Sequence, residues 1–211
     1  MTSSQGRKAT RIQEVNRERI LEAALAVFAS FGFRGATVEM IAERAGMSKP
    51  NLLYYYRSKQ KVYAAVLEHT LGEWLEPLSG MRAEGDPLAE IEAYFERKIE
   101  HSRANPEASR LFATEIIQGA PHIRPVLEGH MRQLVEEKCA VIREWIDAGR
   151  LSPVEPLHLI LNIWAMTQHY ADYETQVEIL SGRTLKDHAF AEDARTTMRQ
   201  ILLEGLRPRG S

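Results

Sequence analysis

From about residue 13 to residue 207 the chain repeats one pattern: apolar residues three and four apart, interrupted at short intervals by glycine, proline and small capping residues. No stretch alternates apolar and polar residues for long enough to make a strand, so the pattern predicts an all-α fold. A first helix is expected from Gln13 to Phe31, with Ile20, Ala24, Val27, Phe28 and Phe31 on one face, stopped by Gly32 and Gly35. Thr37 caps a second, whose buried side is Met40, Ile41 and Ala45 and which Gly46 ends. Ser48 caps a third, with Pro50 in its first turn where a missing N–H is harmless, and it stops near Tyr56-Arg57. Ser58 opens a longer fourth helix to about Leu75, limited by Pro77. Further helices are predicted from Asp86-Pro87 to Ser102, from Asn105-Pro106 to Gln118 (ended by Gly119-Ala120-Pro121), and over 123–147, 155–180 and 185–206. The division that follows is a flexible arm over 1–12, a three-helix domain over 13–57 and a larger helical domain over 58–207. Whether Gly210-Ser211 is native the sequence leaves open.

Function classes narrow quickly. Apolar residues make up 44% and charged residues 27% of the 211, enough for a real core and ordinary for a soluble protein. The single cysteine, Cys139, permits no internal disulfide and sits in a helical stretch as a small packing residue. That usage, a polar first segment and the lack of any apolar run of membrane-spanning length point to the cytoplasm, with no membrane partner. No glycine-rich phosphate loop, nucleophile elbow or spaced carboxylate–histidine set is present, so no enzyme, cofactor or metal site is expected. Charge is unevenly placed. Residues 1–61 carry 11 Lys/Arg against 5 Asp/Glu, and the remaining 150 carry 16 against 24. A basic first quarter suits a polyanion, although a solvated basic face gives the same count.

The polyanion becomes specific at Thr37–Tyr55, which reads as helix, tight glycine-containing turn, helix: a helix-turn-helix. Ala42 and Ala45 allow close approach, Gly46 takes the corner, and Met47 plugs the turn. The third helix then offers Ser48, Lys49 and Asn51 to base edges in the major groove, and Tyr55 and Lys59 suit phosphates. Backbone amides behind Thr37 and Ser58 would add phosphate contacts. Tyr54 and Tyr56 are expected in the core. Residues from about 15 to 67 resemble the DNA-binding domain of the TetR family. The stretches that carry the resemblance are Ile20-Leu21-Glu22-Ala23-Ala24, Phe31-Gly32-Phe33, Gly35-Ala36-Thr37, Ile41–Gly46 and Tyr54–Lys59. Tyr56, Leu53 and Gln60 depart from that family's usual residues. The resemblance implies a homodimer, built through the last two helices, that binds palindromic operator DNA as a repressor. It fits two apolar stripes on the 155–180 helix, one with Leu157, Leu161, Trp164, Gln168 and Ala171, the other with Leu159, Ile163, Met166, Tyr170, Tyr173 and Val177.

The second domain should then hold a small effector. Within the family, the chain resembles the pyrimidine-utilisation regulators. The carriers are Asn51–Tyr55, Trp74–Leu78, Ala108–Phe112, Gly119-Ala120-Pro121 and above all Ile163–Asp172, and the resemblance implies uracil or thymine as effector. The side chains permit it. Gln168 puts a primary amide on an apolar stripe one turn after Trp164, and an amide's donor and acceptor complement an imide edge. Trp74, Leu78, Phe112 and Trp164 would wall a flat ring, and Glu115 would take a second N–H. Each has an ordinary alternative: Gln168 satisfied by backbone or partner subunit, Trp74 and Phe112 in plain core, Glu115 paired with Arg110. A wide aromatic and acidic pocket for a larger hydrophobic or cationic ligand uses the same residues.

Overall fold

The computed structural model describes residues 3–208, with side chains from residue 11 onward. Part of the arm expected over 1–12, and Gly210-Ser211, lie outside those residues. Among the described residues all regular structure is helical.

Helix α1 (Ser3–Gly35) starts well before Gln13, and Gly32 breaks its helical geometry at φ 64°. Helices α2 (Val38–Arg44) and α3 (Lys49–Tyr55) follow, capped by Thr37 and Ser48. Between them, Gly46 N–H donates to Glu43 O at 3.0 Å and Met47 N–H to Ala42 O at 3.0 Å. That pair of bonds needs a residue at positive φ, and Gly46 sits at 63°. Arg19 of α1 donates to Ala45 O at 2.6 Å and clamps the corner. Ile20, Phe28, Ile41, Leu52 and Val62 are sealed in the core of this unit.

Helix α4 (Lys59–Ser79), capped by Ser58, runs on through Pro77, two residues beyond the expected limit at proline. In the last turn the missing N–H costs one ladder bond, and the buried ring packs into the core. Helices α5 (Pro87–Ala104) and α6 (Pro106–Ile117) begin where Pro87 and Pro106 place them. The predicted 123–147 helix is not uniform: α7 (Arg124–Val126) passes through a π-helical turn, Leu127–Met131, into α8 (Arg132–Asp147).

The predicted 155–180 helix is two. Helix α9 (Pro156–Asp172) ends where Tyr173 leaves helical geometry, and α10 (Glu174–Ser181) follows. Arg110 of α6 donates to the freed carbonyl of Ala171 at 3.3 Å and pairs with Glu174 at 2.7 Å, which holds the break. Helix α11 (His188–Leu206) closes the chain across α5. Helices α5 and α9 form the centre of the second domain, and α6 joins them to α1. On α9, Leu159, Ile160 and Ile163 are buried, while Leu157 and Leu161 each remain 42% exposed.

Candidate functional site

Two regions carry chemistry: the outer face of α3 and a cavity between α6 and α9. Leu52 is the buried residue of α3 and fixes which side faces out. Lys49, Pro50, Asn51 and Tyr54 are exposed as a result. The Ser48 hydroxyl accepts Asn51 N–H at 3.3 Å, and the Thr37 hydroxyl accepts Met40 N–H at 3.2 Å. Both therefore cap helices with their lone pairs and keep an O–H to donate. Lys49 pairs with Glu39 of α2 across exposed surface, and that contact holds the Glu39 carboxyl below its usual range. Tyr55 is half-buried and accepts Asn16 Nδ2–H at 2.9 Å, leaving its own O–H outward-going.

Two expectations on this face change. Tyr54 is not core but 73% exposed, its ring edge-on to Tyr55 at 5.4 Å. It lies two residues, about 200° of helix, beyond Leu52, so the periodicity of α3 already placed it outside. Lys59 is engaged internally. Its ammonium donates to Phe33 O at 2.8 Å and Ala36 O at 2.9 Å and sits over the Phe33 ring. Those carbonyls close the end of α1, where a cation is favoured, so the side chain is a brace between α1 and α4.

The cavity has a volume of about 560 Å³ and is lined by Phe112, Trp164, Gln168 and Asp172, with Leu127 and Met131 of the π-turn across from them. The Trp164 indole N–H donates to Tyr94 OH, which fixes the ring's orientation. Burial pushes the Tyr94 phenol well above its usual range. Trp74 stands edge-on to Phe112 at 5.1 Å, directly behind the cavity wall. Leu78 is sealed in the core and does not line the cavity. Asp172 accepts the Ser109 hydroxyl, and burial pushes its carboxyl up.

Glu115 is the clearest correction. It is 2% exposed, but it points away from Trp164 and Gln168. Oε1 accepts His122 N–H at 2.6 Å, and Oε2 lies 3.2 Å from His122 Nδ1. Burial, with the Glu115 charge alongside, pushes the Tyr63 phenol up to about 12. The rings of Tyr63, His122 and Phe33 pack with centroids 4.6–5.0 Å apart in tilted and edge-on arrangements, so this cluster joins α1, α4 and the loop after α6. The alternative pairing with Arg110 does not form either, because Arg110 is held by Glu174.

Sequence reasoning missed Lys98, Tyr94, Ser109 and Asp172. A signal for two of them existed: Tyr94 and Lys98 interrupt the buried stripe Ile91, Phe95, Ile99 of α5. Among the described residues no cluster of His, Cys, Asp and Glu is arranged to hold a metal ion, and no helix is long and apolar enough to cross a membrane.

Residues 20–66 match the family model described as bacterial regulatory proteins, tetR family, and residues 67–209 match the C-terminal region of YcdC-like protein. The chain is 46% identical over 202 residues to the HTH-type transcriptional regulator RutR of Escherichia coli strain K12, covering 96% of this chain and 95% of the relative. It is 29% identical over 209 residues to the HTH-type transcriptional repressor NicS of Pseudomonas putida KT2440, covering 93% and 96%. The fold superposes on the fatty acid degradation regulator FadR from Bacillus halodurans with a TM-score of 0.66 at 20% identity, covering 92% of this chain and 99% of that one.

Proposed function

The chain belongs to the TetR family of bacterial regulatory proteins, and from that premise we propose that it is a dimeric repressor whose operator is released or held according to uracil or thymine bound in the α6–α9 cavity. As a TetR-type transcriptional regulator it is not an enzyme. The observation that carries the effector reading is the pairing of Trp164 and Gln168 on the cavity wall, an aromatic face beside a primary amide, in a lining that also holds Arg110 and Asp172. A planar imide stacks on the first and exchanges N–H and C=O with the second. The resemblance of Ile163–Asp172 to the pyrimidine-utilisation regulators and the similarity to RutR support the same choice.

In this reading Thr37, Ser48, Lys49, Asn51, Tyr54 and Tyr55 meet the operator. The neutral and short side chains read base edges, and Lys49 leaves Glu39 for a phosphate or base. The dimer forms through α9 and α11, where Leu157, Leu161 and Ile201 stay exposed on the single chain. Two recognition helices then meet half-sites about 34–36 Å apart. Effector binding shifts α6, which carries Phe112 on the cavity side and Glu115 on the Tyr63 side, and so re-aims α1 and α4. By reciprocity the operator and the effector oppose or support each other by a similar factor.

A second reading has one observation in its favour. At about 560 Å³ the cavity exceeds the size of one pyrimidine, and its mouth at Leu127 and Met131 is apolar, so a larger hydrophobic or cationic ligand also fits. Calorimetric titration of the protein with uracil, thymine and a bulky cationic dye decides. Saturable binding of a pyrimidine near one per subunit, with a matching change in operator affinity, upholds the proposal; dye binding alone overturns the pyrimidine reading in favour of the second.

A further inference from the structure

Lys98 is only 2% exposed, yet its ammonium makes no hydrogen bond and no ion pair with any described residue. It rests over the Trp74 ring, 4.6 Å from the centroid. A buried cation without partners is among the most costly groups a fold can hold, and such groups are kept where something else supplies the partner. The face of Trp74 offsets part of that cost but accepts no hydrogen bond.

The surroundings say where the missing partner comes from. Lys98 lies one turn after Tyr94, whose hydroxyl holds the indole of Trp164 on the cavity wall. Trp74, beneath the ammonium, is in edge contact with Phe112 of the same wall. Asp172, a further lining residue, faces Lys98 electrostatically but lies beyond ion-pair distance, and its carboxylate accepts Ser109. Asp172 thus lines the cavity, while the cation lies one layer behind its wall, over Trp74 and one turn from Tyr94, and the two do not close on each other. Burial lowers the Lys98 ammonium to about 7, with Asp172 opposing that shift, so the charge is present at neutral pH in a useful fraction and is reinforced by any acceptor placed before it.

We propose that Lys98 is a specificity-determining residue of the effector site, donating to a ring carbonyl oxygen of the ligand while Asp172 takes the neighbouring ring N–H. The inference rests on the pyrimidine reading and adds to it a rule of discrimination. An ammonium carries three donors and no acceptor. It therefore accepts an oxo-substituted ring and rejects one bearing an exocyclic amine at that position, because two donors would face each other in a buried place. Uracil passes and cytosine fails, although the two differ little in size.

The test compares uracil and cytosine by calorimetric titration of the full-length protein and of Lys98→Met, with thermal unfolding of both. The unaltered protein is expected to bind uracil at least tenfold more tightly than cytosine. Lys98→Met is expected to lose at least tenfold in uracil affinity, to lose the preference over cytosine, and to unfold at the same or a higher temperature, since an unpartnered buried charge is gone. A structural lysine would instead lower the unfolding temperature and leave the preference intact. Equal affinity of the unaltered protein for uracil and cytosine overturns the inference without any variant. Uracil affinity unchanged in Lys98→Met overturns it while leaving the pyrimidine reading in place. Failure of the unaltered protein to bind any pyrimidine overturns both.

Discussion

The carboxylate of Glu115 accepts the backbone N–H of His122 at 2.6 Å across a loop in which Ala120 is held at φ 56°. Glu115 stands in the last turn of α6, and the His122 ring packs tilted against Phe33 of α1. A left-handed alanine costs about 1 kcal/mol, so this loop keeps its shape only while the carboxylate holds it. Glu115→Ala is expected to reduce stability by about 1–3 kcal/mol in denaturant unfolding. It should also leave effector affinity within about threefold while blunting the effector's influence on operator binding, given a typical coupling of about 1–3 kcal/mol. Operator release as complete as in the unaltered protein would remove α6 from the coupling.

Tyr54→Ala separates the outer face of α3 from the core. With 73% of its surface exposed, the side chain has little to lose on truncation, and the midpoint of unfolding should barely move. Operator affinity should fall by roughly tenfold, the value of about one good contact. Unchanged gel-shift affinity at fixed salt would mean that α3 meets DNA by another face.

Lys59→Ala tests a brace rather than a phosphate contact. Two charge-assisted bonds to Phe33 O and Ala36 O are lost, each contributing about 1.5–3 kcal/mol at most, so stability should drop by a few kcal/mol. The slope of log affinity against log salt should stay as it was. A slope smaller by about 0.9 would restore Lys59 to the phosphates.

The buried lysine gives a signed pH dependence. The unfolded side chain has an ordinary value near 10.5 and the folded one about 7. Between these limits the unfolded chain binds a proton that the folded chain does not, so stability rises with pH from about 7 to 10 and is flat, at its least favourable, below. Uracil affinity runs the other way. The bound state needs the ammonium, so affinity falls as pH rises through 7, and binding near pH 7–8 takes up a proton. Groups facing Lys98 are Trp74 from α4, which does not titrate, and Asp172 from α9, with His169 and Arg110 beyond it. Titrations in two buffers of different ionisation enthalpy measure the uptake, and the difference from Lys98→Met isolates this group. Identical proton uptake in both proteins would assign it elsewhere.

Leu161→Glu combined with Ile201→Glu places charges on the uncovered faces of α9 and α11, where the side chains are 42% and 64% exposed. Sedimentation should report a folded monomer, and operator affinity should fall at least tenfold because the half-sites are no longer read together. A double variant that sediments as a dimer would move the interface off these helices.

Much of the first domain was legible because its determinants are local. Caps at Thr37, Ser48 and Ser58 and the glycine corner at Gly46 each act within a turn or two, and the structure has them where the sequence put them. On the apolar side of α1, Ile20, Ala24, Val27 and Phe28 are buried as expected, but Phe31, next to the break at Gly32, is 56% exposed. The cavity was legible only in part. Phe112, Trp164 and Gln168 line it, but Glu115 and Leu78 do not, and Trp74 stands one layer behind.

What the sequence determined alone was therefore most of the helix order and the corner of the helix-turn-helix, encoded in short-range period and capping chemistry, while the family was read from resemblance. What only the tertiary structure decided was which polar side chain turns toward which helix. Arg110 breaks α9 from α6, Lys59 seals α1 from α4, and Lys98 is left unpartnered between Trp74 and Asp172. Each of these depends on two segments from 23 to 74 residues apart. A long flexible side chain can satisfy its charge in several directions, and only the packed neighbours choose among them.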